Sequence, residues 1–221
     1  MPMRKRQEIQ KLLRPIATSL AIAVPAIAGS GVYFHYSPSL PLAEHWFDYV
    51  DSYPVHEFGV AVELPGPSVF RWRLEGNYAP FTESGVLTKG AAYWASAGLV
   101  MRNDLSERFA ISFGPQLILG WVLAEGTYDY IDSDGKGYYI DFDGKGNGIG
   151  IGMSGSIAAK LGENILLGLQ PSVTYYGVAQ EDVPIVGRDA LDPSVPPDYG
   201  IFKYKGEYIA LSFRVFAGFE F

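Results

Sequence analysis

The chain has 221 residues, enough for one domain with a full core or one small barrel. It carries 26 Gly, 15 Tyr and 13 Phe but no Cys, which excludes a disulfide framework and a thiolate metal site. The formal net charge is −7 and the body of the chain holds no cluster of Lys and Arg, which argues against a nucleic-acid partner.

The amino terminus is basic, with Arg4, Lys5, Arg6, Lys11 and Arg14 against Glu8. An apolar stretch, Pro15 to Ile27, follows and closes on Ala26-Ile27-Ala28. This order is that of a secretory signal peptide over residues 1–28, with cleavage after Ala28. The remaining domain, residues 29–221, would hold 12 basic against 23 acidic residues, a net charge of −11. The competing reading, a membrane anchor, needs a longer apolar run.

Gly31 to Ser37 reads as a first strand stopped by Pro38, and 38–54 as a loop. Within that loop Leu42, Trp46 and Val50 fall at helical spacing, which predicts a short amphipathic piece. From there on, strands recur, because a strand sends alternate side chains to opposite faces. His56 to Leu64 sets Phe58, Val60 and Val62 against Glu57, Ala61 and Glu63. Val69 to Tyr78 sets Phe70, Trp72 and Leu74 against Arg71, Arg73 and Glu75. Lys89 to Arg102 carries Ala91, Tyr93, Ala95 and Leu99 on one face and small Gly90, Ala92, Ser96 and Gly98 on the other. Arg108 to Ala124, Gly148 to Lys160 and Ile165 to Tyr176 repeat the pattern, with Leu, Ile and Phe opposing Gly, Ser and Gln. A last strand runs from Lys203 to Phe221.

Eight strands result, joined alternately by short connections (65–68, 103–107, 161–164) and long ones (38–54, 79–88, 125–147, 177–202). Outward aromatics sort into two levels, Phe70, Trp72, Phe109, Phe219 and Phe221 near the short turns and Tyr78, Tyr93, Trp121 and Tyr175 toward the long loops. The final strand, with Ile209, Leu211, Phe213, Val215, Ala217, Phe219 and Phe221 on one face, resembles the carboxy-terminal assembly signal of bacterial outer-membrane barrels. The whole of 29–221 resembles the OmpA/OmpX/opacity-type superfamily. That resemblance implies an all-β, eight-stranded, antiparallel up-and-down transmembrane barrel in the bacterial outer membrane. It also implies outer-membrane lipid, lipopolysaccharide and the barrel-assembly machinery as partners. The competing fold is a soluble lipocalin-like barrel with the apolar face turned inward; a Gly-rich outer face suits it poorly, whereas glycine inside a narrow barrel leaves room for large neighbours.

Glu57, Glu63, Arg71, Arg73, Glu75, Arg102, Arg108, Lys160, Arg214 and Glu220 share the inward parity. Charges of both signs in a lumen just wide enough for side chains predict a plug of ion pairs; a narrow ion conduit is the alternative. His35 and Ser37 share a face at the spacing that outer-membrane lipid A deacylases use with a Glu, which would make His35 the base and Ser37 the nucleophile. Against this, the pair stands early in the chain and no Glu is placed beside it. His45 and His56 show no metal-ligand spacing.

The long loops are acidic, opposed only by Lys136, Lys145 and Arg188. In one of them Asp132-Ser133-Asp134-Gly135 recurs as Asp141-Phe142-Asp143-Gly144. The pattern resembles the opening of a calcium loop but lacks the later bidentate Glu, so Asp-Gly hairpin chemistry is expected, with weak Ca²⁺ or Mg²⁺ binding at Asp132, Asp134, Asp141 and Asp143 as an addition. No other cofactor is expected. The function read from the sequence is a non-enzymatic, outer-membrane surface or structural barrel with acidic loops; the alternatives are a deacylase-like enzyme using His35 and Ser37, or a small pore.

Overall fold

The computed structural model describes residues 29–43, 55–81, 87–131, 135–192 and 194–221. The signal-peptide expectation over 1–28, Trp46 and Val50 of the expected helical piece, His45, Asp132 and Asp134 lie outside the described residues, while Leu42, which was to begin that piece, lies in the first strand instead.

Eight strands follow one another: β1 Gly31–Ala43, β2 Val55–Pro65, β3 Phe70–Phe81, β4 Leu87–Asp104, β5 Phe109–Ile131, β6 Gly137–Leu161, β7 Ile165–Asp189 and β8 Asp198–Glu220. Each pairs antiparallel with its sequence neighbours, and β8 returns to β1, so the sheet closes into a barrel without an edge. Closure reaches the last residue. The Phe221 N–H donates to the Ser30 carbonyl at 2.9 Å, and the Phe221 carbonyl accepts from the Gly29 N–H.

The alternation sets which face is which. Ile149, Ile151 and Leu169 are about 60% exposed, at 59%, 63% and 61%. Ala61, Arg73, Glu75, Gln170 and Ser212 are buried. A soluble protein buries its large aliphatics; this barrel wears them outside, where only lipid tails would solvate them. Tyr78, Tyr93 and Trp121 stand in one cross-strand row on the outer face, with the Tyr78 and Tyr93 rings 5.1 Å apart.

Several strand limits differ from the sequence reading. β1 does not stop at Pro38 but continues to Ala43. Pro38 has no N–H to give, and the ladder to β8 skips Ser37 and Pro38, resuming at Ser39↔Ser212 in the same register while Pro38 stays opposite His56 on β2. The supposed loop 125–147 is mostly paired strand, since β5 and β6 stay in register from Phe109↔Ala159 to Ile131↔Gly137. Likewise β7 and β8 pair beyond Tyr176 as far as Gly187↔Asp198. Acidic composition hid these extensions because a water-facing strand has no apolar period to reveal it. With 23–25 residues each, β5 to β8 exceed the roughly 9–11 residues that cross a bilayer.

The Asp-Gly repeat splits in the same way. Gly135 has a positive φ of 79°, as an expected hairpin turn requires, whereas Asp143-Gly144 lies inside β6 beside a register shift between Phe142 and Gly146.

Candidate functional site

The inward faces of the strands stack the lumen in three layers. Nearest the short turns, Tyr33, Ala61, Ala158, Leu166 and Phe216 form an apolar cluster, with the Tyr33 and Phe216 rings edge to face at 5.7 Å. Above it lies a layer of charges and amides. Toward the long connections, Val55, Ala79, Ala92 and Val122 form a second apolar cluster, against which Trp94 packs.

The middle layer is built around Glu75 of β3, whose side chain is fully buried. Arg214 Nη1 of β8 donates to Glu75 Oε2 at 2.6 Å, and Arg73 Nε lies 2.6 Å from Glu75 Oε1. Arg73 also donates to Glu63 Oε1 on β2 at 3.3 Å and to Gln170 Oε1 on β7 at 2.5 Å. Gln116 of β5 donates to Glu75 at 3.4 Å and to Ser154 of β6 at 3.1 Å; Ser96 of β4 donates to Glu75 at 3.4 Å. Seven strands therefore meet in one network that crosses the lumen. Buried charges stay charged inside a barrel only when paired in this way.

Of the ten inward charges expected, Glu63, Arg73, Glu75 and Arg214 are brought together here, and buried Glu57 lies beside them. Arg102 pairs instead with Glu220 and with Asp104 at 3.4 Å, closer to the short-turn rim, where Lys160 also meets Asp104 at 3.5 Å. Arg71 donates to the Gly29 carbonyl rather than joining the network. Arg108 is exposed in the β4–β5 turn, a correction to its inward parity: Ser106 Oγ accepts from the Arg108 and Phe109 N–H groups, so the alternation begins only at Phe109.

His35 and Ser37 both point into the lumen and are buried. His35 Nε2 lies 2.6 Å from Asn77 Oδ1, which makes Nε2 the donor, and His35 Nδ1 has no hydrogen-bond partner among the described residues. Ser37 Oγ donates to the Pro38 carbonyl at 3.3 Å. The two side chains share a face without a hydrogen bond between them, and among the described residues no carboxylate is hydrogen-bonded to the imidazole. Asp141 accepts from Thr127 Oγ1 at 2.8 Å and faces Arg188 at 3.1 Å, while Asp143 stands opposite Glu125 on β5. No group of three or more metal-ligating side chains occurs among the described residues.

Between the charge layer and the upper rim is a cavity of about 80 Å³, lined by Val55, Ala79, Ala92, Trp94 and Val122 together with the polar residues Glu57, Ser96, Gln116, Thr174, Tyr176, Ser212 and Arg214. Trp94 escaped the sequence reading of β4, which took its inner face as uniformly small. Its even position, between Ala92 and Ser96, was the signal. Inner glycines carve the seats of the larger groups, as a narrow barrel requires. A Cβ on Gly59 would collide with His35 Nε2 and Asn77 Oδ1, and one on Gly120 with the Tyr176 hydroxyl.

No protein-family model matches this sequence, and no curated protein matches it. Among solved structures the chain is similar to Neisserial surface protein A, at 11% identity and a TM-score of 0.58 over 88% of this chain and 98% of that one. It also aligns with Ail, the attachment invasion locus protein of Yersinia pestis, at 9% identity and a TM-score of 0.48 over 88% and 100%. A major outer membrane protein from Thermus thermophilus aligns at 14% identity and a TM-score of 0.46 over 87% and 99%. The fold is that of a small bacterial outer-membrane β-barrel, and the apolar outer belt agrees with it.

Proposed function

We propose that this chain is a shut outer-membrane scaffold that holds acidic strand extensions at the cell surface for interaction, rather than an enzyme or an open pore. The observation that carries this reading is the Glu75-centred network, which fills the lumen with ion pairs from opposite walls. A shut lumen leaves the extended β5–β8 region as the part free to meet other molecules. Its carboxylates favour cationic or metal-bridged partners, among which lipopolysaccharide phosphates joined through divalent ions are the nearest candidates. The short turns and both ends of the barrel domain then face the periplasm.

Because the chain has no cysteine, its topology can be tested by placing one. Ser194→Cys in the β7–β8 connection should react with a membrane-impermeant maleimide on intact cells. Glu163→Cys in the β6–β7 turn should react only after the outer membrane is opened. Labelling of Glu163→Cys alone on intact cells, or of neither variant in any fraction but the soluble one, overturns the reading.

A further inference from the structure

The lipid-facing side of the strands does not end where the apolar belt does. β5 and β6 stay paired without a break up to Ile131↔Gly137, so Ile131 and Tyr139 share the outer face with Leu119 and Ile149. On β8, Tyr199 and Ile201 share the parity of Ile209 and Phe213, and the register shift on β7 brings Arg188 to the same side, opposite Tyr139. Large apolar groups stand bare at this distal level: Ile131 is 70% exposed, Tyr139 49%, Tyr199 74% and Ile201 68%. Between it and the belt the outer face is polar, with Glu125 opposite Asp143 on β5 and β6 and Glu207 on β8. From Ile209 to Ile201 is eight residues, and from Trp121 to Ile131 ten. At about 3.3 Å per residue on strands tilted by about 40°, the distal level stands roughly 20–25 Å beyond the upper edge of the belt.

Height decides what can cover this level. A phospholipid head group adds only about 5–8 Å to each side of the hydrocarbon and falls short of it. From the same bilayer, only a lipid whose head group carries a chain of sugars reaches so far. The groups also point sideways, over the neighbouring lipids, which favours the lipid's own head group over a protein arriving from above. Their chemistry agrees. Sugar rings rest their C–H faces on tyrosine rings and bond their hydroxyls to guanidinium and carboxylate groups. Arg188 Nη2 and Asp141 Oδ2 form an ion pair at 3.1 Å in the two cross-strand rows that also hold Tyr139 and Tyr199. We propose that this outer face binds the saccharide chains of the surrounding lipopolysaccharide, with sugars stacked on Tyr139 and Tyr199 around the Arg188–Asp141 pair. The inference rests on the surface-scaffold reading and deepens it: cation-bridged phosphates supply charge near the belt, and sugars supply contact area above it.

The test reads both tyrosines in the full barrel labelled with 3-fluorotyrosine, their ¹⁹F signals assigned through Tyr139→Phe and Tyr199→Phe. Nanodiscs carry lipopolysaccharide with its full core saccharide, lipid A alone, or phospholipid. Each lipid is on both faces of the disc, so orientation in the cell plays no part. A soluble gadolinium chelate should relax the two signals about twofold less in full-core discs than in either of the others. The melting temperature gained in full-core over lipid A discs should disappear when Tyr139→Ser is combined with Tyr199→Ser. Should that variant fail to fold, the three lipid arms of the unsubstituted barrel decide alone. Equal relaxation in all three discs overturns the proposal, whether the tyrosines lie open or a second barrel covers them. Shielding by lipid A alone overturns it too, since phosphate would then suffice. So does equal shielding by released core saccharide, added at the same concentration to phospholipid discs, because the site would then take soluble sugar. A wrong topology, by contrast, shows only in the cysteine labelling.

Discussion

Glu75 of β3 and Arg214 of β8 meet across the lumen at 2.6 Å, although β1 and β2 separate their strands in the wall. The contact is a strut across the barrel rather than a bond along it, and both groups are buried. Removing one partner leaves a charge stranded among apolar layers. Glu75→Leu should therefore destabilise the barrel by about 3–5 kcal/mol, while Glu75→Leu with Arg214→Met should recover much of the loss. Urea unfolding in detergent, followed by tryptophan fluorescence, reads both; equal stability of the single variant and the wild type would contradict the strut.

Gly59 is the seat of the His35–Asn77 pair. A methyl group there meets both His35 Nε2 and Asn77 Oδ1, so Gly59→Ala should cost about 1–3 kcal/mol by overpacking. Adding His35→Ala should relieve most of it. A Gly59→Ala variant as stable as wild type would mean that the pair has room to move aside.

Phe221 closes the ring through its backbone and stands outside on the lipid face. Deletion of Phe221 removes the bonds to Ser30 and Gly29 together with an apolar anchor near the short-turn rim. Less folded, heat-modifiable barrel in membranes is the expected outcome, and unchanged levels would deny the residue a part in assembly.

Outside the membrane, Lys136 of the β5–β6 connection reaches Asp189 at the end of β7, Nζ to Oδ2 at 2.6 Å. The bond from Lys136, then the N–H of Leu191, hold the Asp189 carboxyl below its usual range. A carboxylate with a depressed folded value contributes fully above the ordinary aspartate pKa of about 3.9 and loses that contribution as pH falls through the folded value. The bond to Asp189 raises Lys136, so its share is present below the ordinary lysine pKa and fades as pH rises through the folded value. Amide order at Leu191, read by ¹⁵N relaxation, should be flat between these limits and drop in acid, and Asp189→Asn should lower it already at neutral pH. Order unaffected by the substitution would leave the tie without consequence.

The strands buried in lipid were legible because their outer faces are uniformly apolar; Phe109 to Leu123 and Ile209 to Phe221 needed only parity. The halves beyond the apolar belt were not, since Asp129, Tyr139 and Asp141 sit in paired strands that carry no apolar period. Pro38 misled for a local reason, as a closed ring can hold a proline from one side when the other ladder skips it. In the lumen, parity found Glu63, Arg73, Glu75 and Arg214, but which charge meets which depends on strand stagger, and no sequence spacing encodes contacts between β3, β7 and β8. Arg108 was lost to the rim because the β4–β5 turn runs one residue further than parity alone suggests, whereas Arg71 keeps its place in β3 and turns to the Gly29 carbonyl instead of the network.

The most direct test is electrical. Wild-type barrel reconstituted into planar lipid bilayers should show no steady ionic conductance, because the Glu75 network spans the lumen; Glu75→Ala with Arg214→Ala, which removes the strut, should admit ions in measurable steps. Steady conductance through the wild type, unchanged by removing the strut, would contradict a shut lumen.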